Sequence, residues 1–261
     1  MENAEQLIDN LHLEDLRNEL HPSIFDDNEN YNMLIVRLPV ISEVLDAKVI
    51  GFILTDKSSY LYNKDTKIFE KLDSKFESPY KIIDKFTDKV LKSFLKYQDE
   101  ISDMEELLYE DNIKDDFMNK WLALKLDISR IERILLRTAG VIDDFMEYYK
   151  DIPEFPMNHY VDIHEHMERT MRSATLQLSK LDYLHSFYNA KSNEKMNRIL
   201  YILTIISAVF LPLNLVVGFF GMNTSGLPFT QAPSGTYYAI SIMISLIIIT
   251  SFIVYKWHKK V

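Results

Sequence analysis

The chain has 261 residues, with 39 acidic and 29 basic side chains, a formal net charge of -10 and no cysteine. That balance argues against nucleic acid as a partner, because phosphates need clustered Lys and Arg, and the missing thiols exclude disulfides and thiolate metal sites. An acidic surface of this kind suits either plain solubility or the attraction of cations.

Residues 1–78 read as an N-terminal αβ cytoplasmic subdomain. The opening Met1-Glu2-Asn3-Ala4-Glu5 has no basic region and no apolar stretch, so no secretory signal is expected. A short helix is predicted near 14–20, followed by β-rich runs at 33–40, 48–55, 60–62 and 67–72. Asp56-Lys57-Ser58-Ser59 and Asn63-Lys64-Asp65 between them are turn chemistry, so the expected fold is a small, mainly antiparallel sheet with helices. No nucleotide-binding loop is present.

Residues 79–156 read as a helical hairpin. Ile82, Ile83, Phe86, Val90, Phe94, Leu95, Tyr97 and Ile101 return at three- and four-residue intervals, and a second helix over 117–149 takes its apolar side from Leu122, Leu126, Ile128, Ile131, Leu135 and Ile142. Between them the stretch 99–116 is crowded with acids, which fits a solvated helix end as well as a weak, water-retaining site for hard cations. Asp151-Ile152-Pro153-Glu154-Phe155-Pro156 ends the hairpin. Residues 157–198 then form a stalk helix whose stripe of Ile163, Met167, Met171, Ala174, Leu178, Leu181, Leu184 and Tyr188 needs helical partners. If that helix continues to Phe220, it extends over roughly 90 Å.

Residues 199–255 contain no Asp, Glu, Lys, Arg or His, enough for two bilayer crossings of about 20 residues each. The first span is 199–220 and the second 237–255. The linking segment 221–236 holds Gly221, Gly226, Pro228, Pro233 and Gly235, which break any helix. Lys195 and Arg198 precede the first span, and a basic tail, 256–261, follows the second, whereas the link has no basic residue. Both chain ends are therefore expected to be cytoplasmic and the loop external.

Asn214 lies inside the first span, and an amide in lipid is costly unless it faces protein or water. Steps of three and four residues from it reach Leu211, Ser207, Leu203 or Thr204, Leu200 and Asn197 on one side and Gly218 and Gly221 on the other. That stripe fits helix packing through small residues or a pore with dry leucine constrictions between polar rings. Two spans enclose no channel, so a pore requires symmetric self-assembly. His164 and His166, two apart, lie on different faces of a helix and read as surface histidines. His159, Asp162 and His166 form a zinc site only if another segment or chain completes it, so no metal ligand is assigned. No nucleophile elbow, P-loop or zinc-protease signature appears, and no enzyme is expected.

Leu211-Pro212-Leu213-Asn214, followed by Gly218-Phe219-Phe220-Gly221-Met222-Asn223 and a second span with basic flank, closely resembles the CorA family of divalent metal ion channels, which includes a ZntB-like branch. Upstream, His21-Pro22-Ser23-Ile24-Phe25-Asp26 before a strand with Arg37-Leu38-Pro39 is similar to the family's soluble domain. The resemblance implies a funnel-shaped homopentamer in the cell inner membrane, with the bilayer, further copies of itself and divalent cations as its partners. Gly221, Met222 and Asn223 would form the selectivity filter. Asn214, Leu211, Ser207, Leu203, Leu200 and Asn197 would line the pore. Divalent cations would be substrate and regulator, with no other cofactor. The family more often has Thr where Asn214 stands, and its magnesium-transporting members an acidic loop where 224–236 is uncharged; in this the chain resembles the zinc-handling branch. Mg2+, with Co2+ and Ni2+, and proton-coupled Zn2+ both stay open as cargo. A sensor or scaffold tethered by two spans is the remaining alternative, and it leaves Asn214 and the tripeptide unexplained.

Overall fold

The computed structural model describes residues 8–110, 116–222 and 234–258. The chain forms two units, Met1–Ser186 and Phe187–Val261.

The first unit opens with helix α1 (Asn10–Arg17), capped by Asp9, whose carboxylate accepts a hydrogen bond from the Leu11 N–H at 2.9 Å. Five strands follow: β1 (Ile24–Asp27), β2 (Asn32–Ile41), β3 (Leu45–Leu54), β4 (Ser59–Asn63) and β5 (Ile68–Lys71). They pair antiparallel in chain order. Ile35 lies opposite Gly51, and a Cβ at Gly51 would collide with the side chain of Leu16. Glycine there lets α1 sit close to the sheet, where Leu16 is buried with Tyr31, Met33, Ile35, Ile53 and Tyr62. Leu34, Val36 and Leu38 are fully buried too and point to the opposite face by strand alternation. Cover on both faces explains why β2 reads as a nearly continuous apolar run. At the β4–β5 turn the Asn63 side-chain oxygen accepts from the N–H groups of Asp65 and Thr66 at 3.0 and 3.2 Å, and Lys67 takes φ 56°.

Four helices follow: α2 (Glu77–Ser93), α3 (Leu95–Tyr109), α4 (Phe117–Tyr149) and α5 (Met157–Phe220), the last crossing into the second unit. α2 and α4 pack on β2. Ser74 and Ser78 cap α2 reciprocally, each hydroxyl accepting the other's backbone N–H, at 2.8 and 3.1 Å. The buried residues Ile83, Thr87, Val90, Phe94, Tyr97, Ile101, Met104 and Leu108 step 4-3-4-3-4-3-4, straight through the break between α2 and α3 at Phe94. On α4, Leu124, Ile128, Ile131, Leu135, Thr138, Ile142, Phe145 and Tyr149 keep the same rhythm. On α5, Tyr160, Ile163, Met167, Thr170, Ala174, Gln177, Leu181 and Leu184 do so as well. A 3.5-residue period running through four helices is the seam of a left-handed coiled coil. Polar ties cross it: Trp121 Nε1 donates to the Leu181 carbonyl at 2.8 Å, Tyr97 Oη to Asp127 at 3.0 Å and Gln98 Nε2 to Ser173 at 2.7 Å. Leu122 and Leu126, expected on the apolar side of α4, are instead 50% and 61% exposed, because they form a row two residues out of phase with the seam.

Where α4 ends, Phe145 stands 4.9 Å from the ring of Tyr149, 5.1 Å from Tyr160 and 5.3 Å from Phe25, joining sheet, α4 and α5. Phe145→Ala is expected to cost about 3–5 kcal/mol of stability, since the fully buried ring leaves a cavity none of three elements can fill. Urea unfolding followed by Trp121 fluorescence measures it, and an unshifted midpoint would deny the cluster that role.

In the second unit, the apolar half of α5 and helix α6 (Gly235–His258) are the described elements. Both helices are long and apolar enough to cross a membrane, with mean hydropathies of 2.3 and 2.0 in their most apolar stretches.

Candidate functional site

In its apolar half α5 has two contrasting faces. Ile205, Val209, Pro212, Leu213, Val216 and Phe220 are half-buried, and α6, which half-buries Ala239, Met243, Leu246 and Thr250 along one stripe, is the other described element of that unit. At 3.6 residues per turn, Leu200, Leu203, Ser207, Leu211 and Asn214 fall within about 80° of one another and roughly 170° from that half-buried stripe. All five are exposed, as is Asn197 at the edge of their arc. Gly218 shares the arc, and a Cβ there would meet nothing among the described residues. No contact among the described residues accounts for its glycine.

The helix ends at Gly221, whose N–H donates to the Val217 carbonyl at 2.9 Å. A Cβ at this position would lie 3.0 Å from that same oxygen, so glycine fits the tight exit. Met222 is 47% exposed. Asn223 and the following loop as far as 233 lie outside the described residues.

A second group of polar side chains sits in the first unit, where the first turns of α5 meet α2. Ligand atoms of Asp84, Asp162 and His166 all lie within 4.8 Å of one another. His166 Nε2 is 3.6 Å from Asp162 and Nδ1 is 3.6 Å from Asp88, and the buried Nδ1 has no hydrogen-bond partner. Burial, and then the charge of Asp88, raises the Asp84 carboxyl above its ordinary value. Burial followed by the charge of Asp84 does the same to the Tyr80 hydroxyl. A divalent cation among these oxygens and the imidazole would reverse that penalty.

The spacing of His159, Asp162 and His166 required completion by another segment, and α2 supplies Asp84. His159 turns away, Nδ1 lying 3.0 Å from Glu77 and the ring stacking on Tyr80 at 4.5 Å. His164 pairs with Asp143 of α4 at 3.1 Å, so the two neighbouring histidines serve different helices. Asp84 escaped the sequence reading; its one signal was Asp88 four residues on, a second acid on the polar side of α2. Within the acid-rich stretch Glu105 pairs with Lys180 at 2.5 Å, and Asp182 pairs with Lys125 at 2.6 Å. Residues 111–115 lie outside the described residues.

A family model described as CorA-like Mg2+ transporter protein matches residues 3–259. The divalent cation transporter CmaX of Pseudomonas aeruginosa is 24% identical over 62% of this chain and 49% of its own length. The putative metal ion transporter YfjQ of Bacillus subtilis is 23% identical over 65% and 53%. The chain thus spans about half the length of these curated relatives. The solved CorA magnesium transporter of Methanocaldococcus jannaschii superposes with a TM-score of 0.77 at 17% identity, covering 96% of this chain and 84% of that one, which establishes a common fold. With the meander, the long helix, the second apolar helix and a family match over nearly all of its length, the chain belongs to the CorA-like Mg2+ transporter proteins.

Proposed function

We propose that this chain assembles as a homopentamer in the inner membrane and passes hydrated divalent cations, Mg2+ and with it Co2+ and Ni2+, down their electrochemical gradient without nucleotide hydrolysis. The observation that carries this reading is the Asn214 stripe. An exposed arc with an amide, a hydroxyl and three leucines runs opposite the half-buried face of α5 and leads to Gly221-Met222-Asn223. Polar groups in an apolar span need protein or water to face, and further copies of the same arc around one axis supply both. Both chain ends are cytoplasmic, by the basic residues flanking the spans. An inside-negative potential then drives uptake with about 2.3 kcal/mol per charge per 100 mV.

Cytoplasmic cations close the pathway again by binding acids of the soluble unit, and Asp84, Asp162 and His166 are the described group best built for it. An imidazole in that set also favours a borderline metal such as Zn2+ over Mg2+. Together with the uncharged loop 224–236 this supports the second reading, a proton-coupled Zn2+ transporter on the same scaffold.

Purified protein in liposomes tests both, by comparing influx of Mg2+, Co2+, Ni2+ and Zn2+ with and without a proton gradient. Mg2+ influx indifferent to the proton gradient is expected, and Asp162→Asn is expected to raise the internal cation concentration needed for closure by about tenfold, the loss of one charged ligand. Zn2+ influx driven by the gradient alone would favour the second reading. No flux of any cation would leave two spans that merely tether a sensor or scaffold.

A further inference from the structure

One face of α4 presents Arg130, Arg133 and Arg137, spaced three and four residues apart, and Arg37 of β2 joins them around an open cavity of about 600 Å³. Among the described residues none of these four guanidiniums has a carboxylate within 4.0 Å, although Arg172 nearby on α5 pairs with Glu168 at 2.8 Å. Like charges at such spacings on a helix repel one another. In a chain with ten more acidic than basic side chains, four arginines around a cavity that no acid lines point to an external anion.

Three of the four arginines are positioned but not satisfied. Arg37 donates from one terminal nitrogen to the Leu20 carbonyl at 3.1 Å, and Arg137 donates from Nε to the Ser23 carbonyl at 3.1 Å. Arg130 reaches the Leu45 carbonyl at 3.4 Å. Each of these uses one of five donors. Arg37 Nε is buried without a hydrogen-bond partner among the described residues. Neutral carbonyls fix Arg37, Arg130 and Arg137 while leaving their charge intact, as a preorganised anion site requires, and the exposed Arg133 completes the set.

We propose that this cavity binds a small di- or triphosphate anion. Guanidinium forks match phosphate oxygens in bidentate pairs, and four of them suit a multiply charged ligand better than one carboxylate. The volume falls in the range of small-molecule sites. Pro22, Ile134 and Leu136 also line the cavity and offer apolar surface for the ring of a nucleoside.

Isothermal titration of the full detergent-solubilised chain tests this, with inorganic pyrophosphate and with ADP, in EDTA and about 0.15 M salt to screen loose surface charge. Both are expected to bind, ADP the more tightly. The double variant Arg133→Gln/Arg137→Gln should weaken both by at least about tenfold, and Arg172→Gln should change neither. If the double variant unfolds, Arg133→Gln alone serves, since that side chain is exposed and its removal disturbs no ion pair among the described residues. No saturable binding at millimolar ligand, or equal affinity in variant and parent, would overturn the proposal. Loss of self-assembly in the variant without anion binding by the parent would overturn it too, assigning the arginines to carboxylates of a second copy.

Discussion

Asn223→Ala is expected to abolish divalent-cation flux into liposomes while leaving self-assembly intact. Mg2+ gives up its waters reluctantly, so an external filter for it must bind the hydrated ion, and amide oxygens accept hydrogen bonds from coordinated waters without competing for the metal. Hydrogen bonds involving a charged partner contribute about 1.5–3 kcal/mol each, and a ring of identical subunits loses all of them in one substitution. Losing two or three already accounts for roughly a thousandfold fall in rate. Assembly should survive because Gly221, which makes the tight exit from α5, and the arc from Leu200 to Asn214 are untouched. Cross-linking or native mass measurement checks the assembly, and a fluorescent cation indicator checks the flux. Undiminished flux in an intact assembly would remove Asn223 from the filter.

The parts of this fold that were readable from sequence share a physical cause. β2 through β5 could be read because their turns are built from Asn, Asp and Ser chemistry and many of their apolar residues are β-branched or aromatic. β1 was missed because a four-residue edge strand ending in Asp26-Asp27 looks like a loop; acids at a sheet edge keep other strands from pairing there. The apolar side of α4 was misread at Leu122 and Leu126 because leucine recurs off the seam, while the polar Thr138 lies fully inside it. The two polar groups of the soluble unit depend on tertiary contact. Asp84 lies 78 residues before Asp162, and Arg37 lies on a strand while its three companions lie on α4. No local spacing brings such residues together. The Asn214 stripe differs because one helix holds all of it, so a period of 3.6 residues sufficed to draw its face.

Leu203→Asn is expected to leave the proposed pathway conducting under high internal Mg2+, the condition under which the parent is expected to close. Leu200, Leu203 and Leu211 share the exposed arc with Asn214 and Ser207, so symmetric copies would stack rings of leucine between rings of amide and hydroxyl. A leucine ring offers a hydrated ion nothing in place of the waters it would shed, and a narrow apolar passage empties of water. Moving one amide from an apolar to a wetted environment is worth about 0.5–2 kcal/mol even on the smallest transfer scales, and the substitution acts in every copy at once. The barrier should therefore drop by several kcal/mol, and a tenfold rise in leak, about 1.4 kcal/mol, is the least that follows. Leu203→Ile, which keeps the side chain apolar and nearly the same size, should retain the seal and so separates wetting from a mere change of packing. If leak at high internal Mg2+ is the same in Leu203→Asn, Leu203→Ile and the parent, the dry constriction lies elsewhere on α5. The leucines of this arc would then serve helix packing between copies.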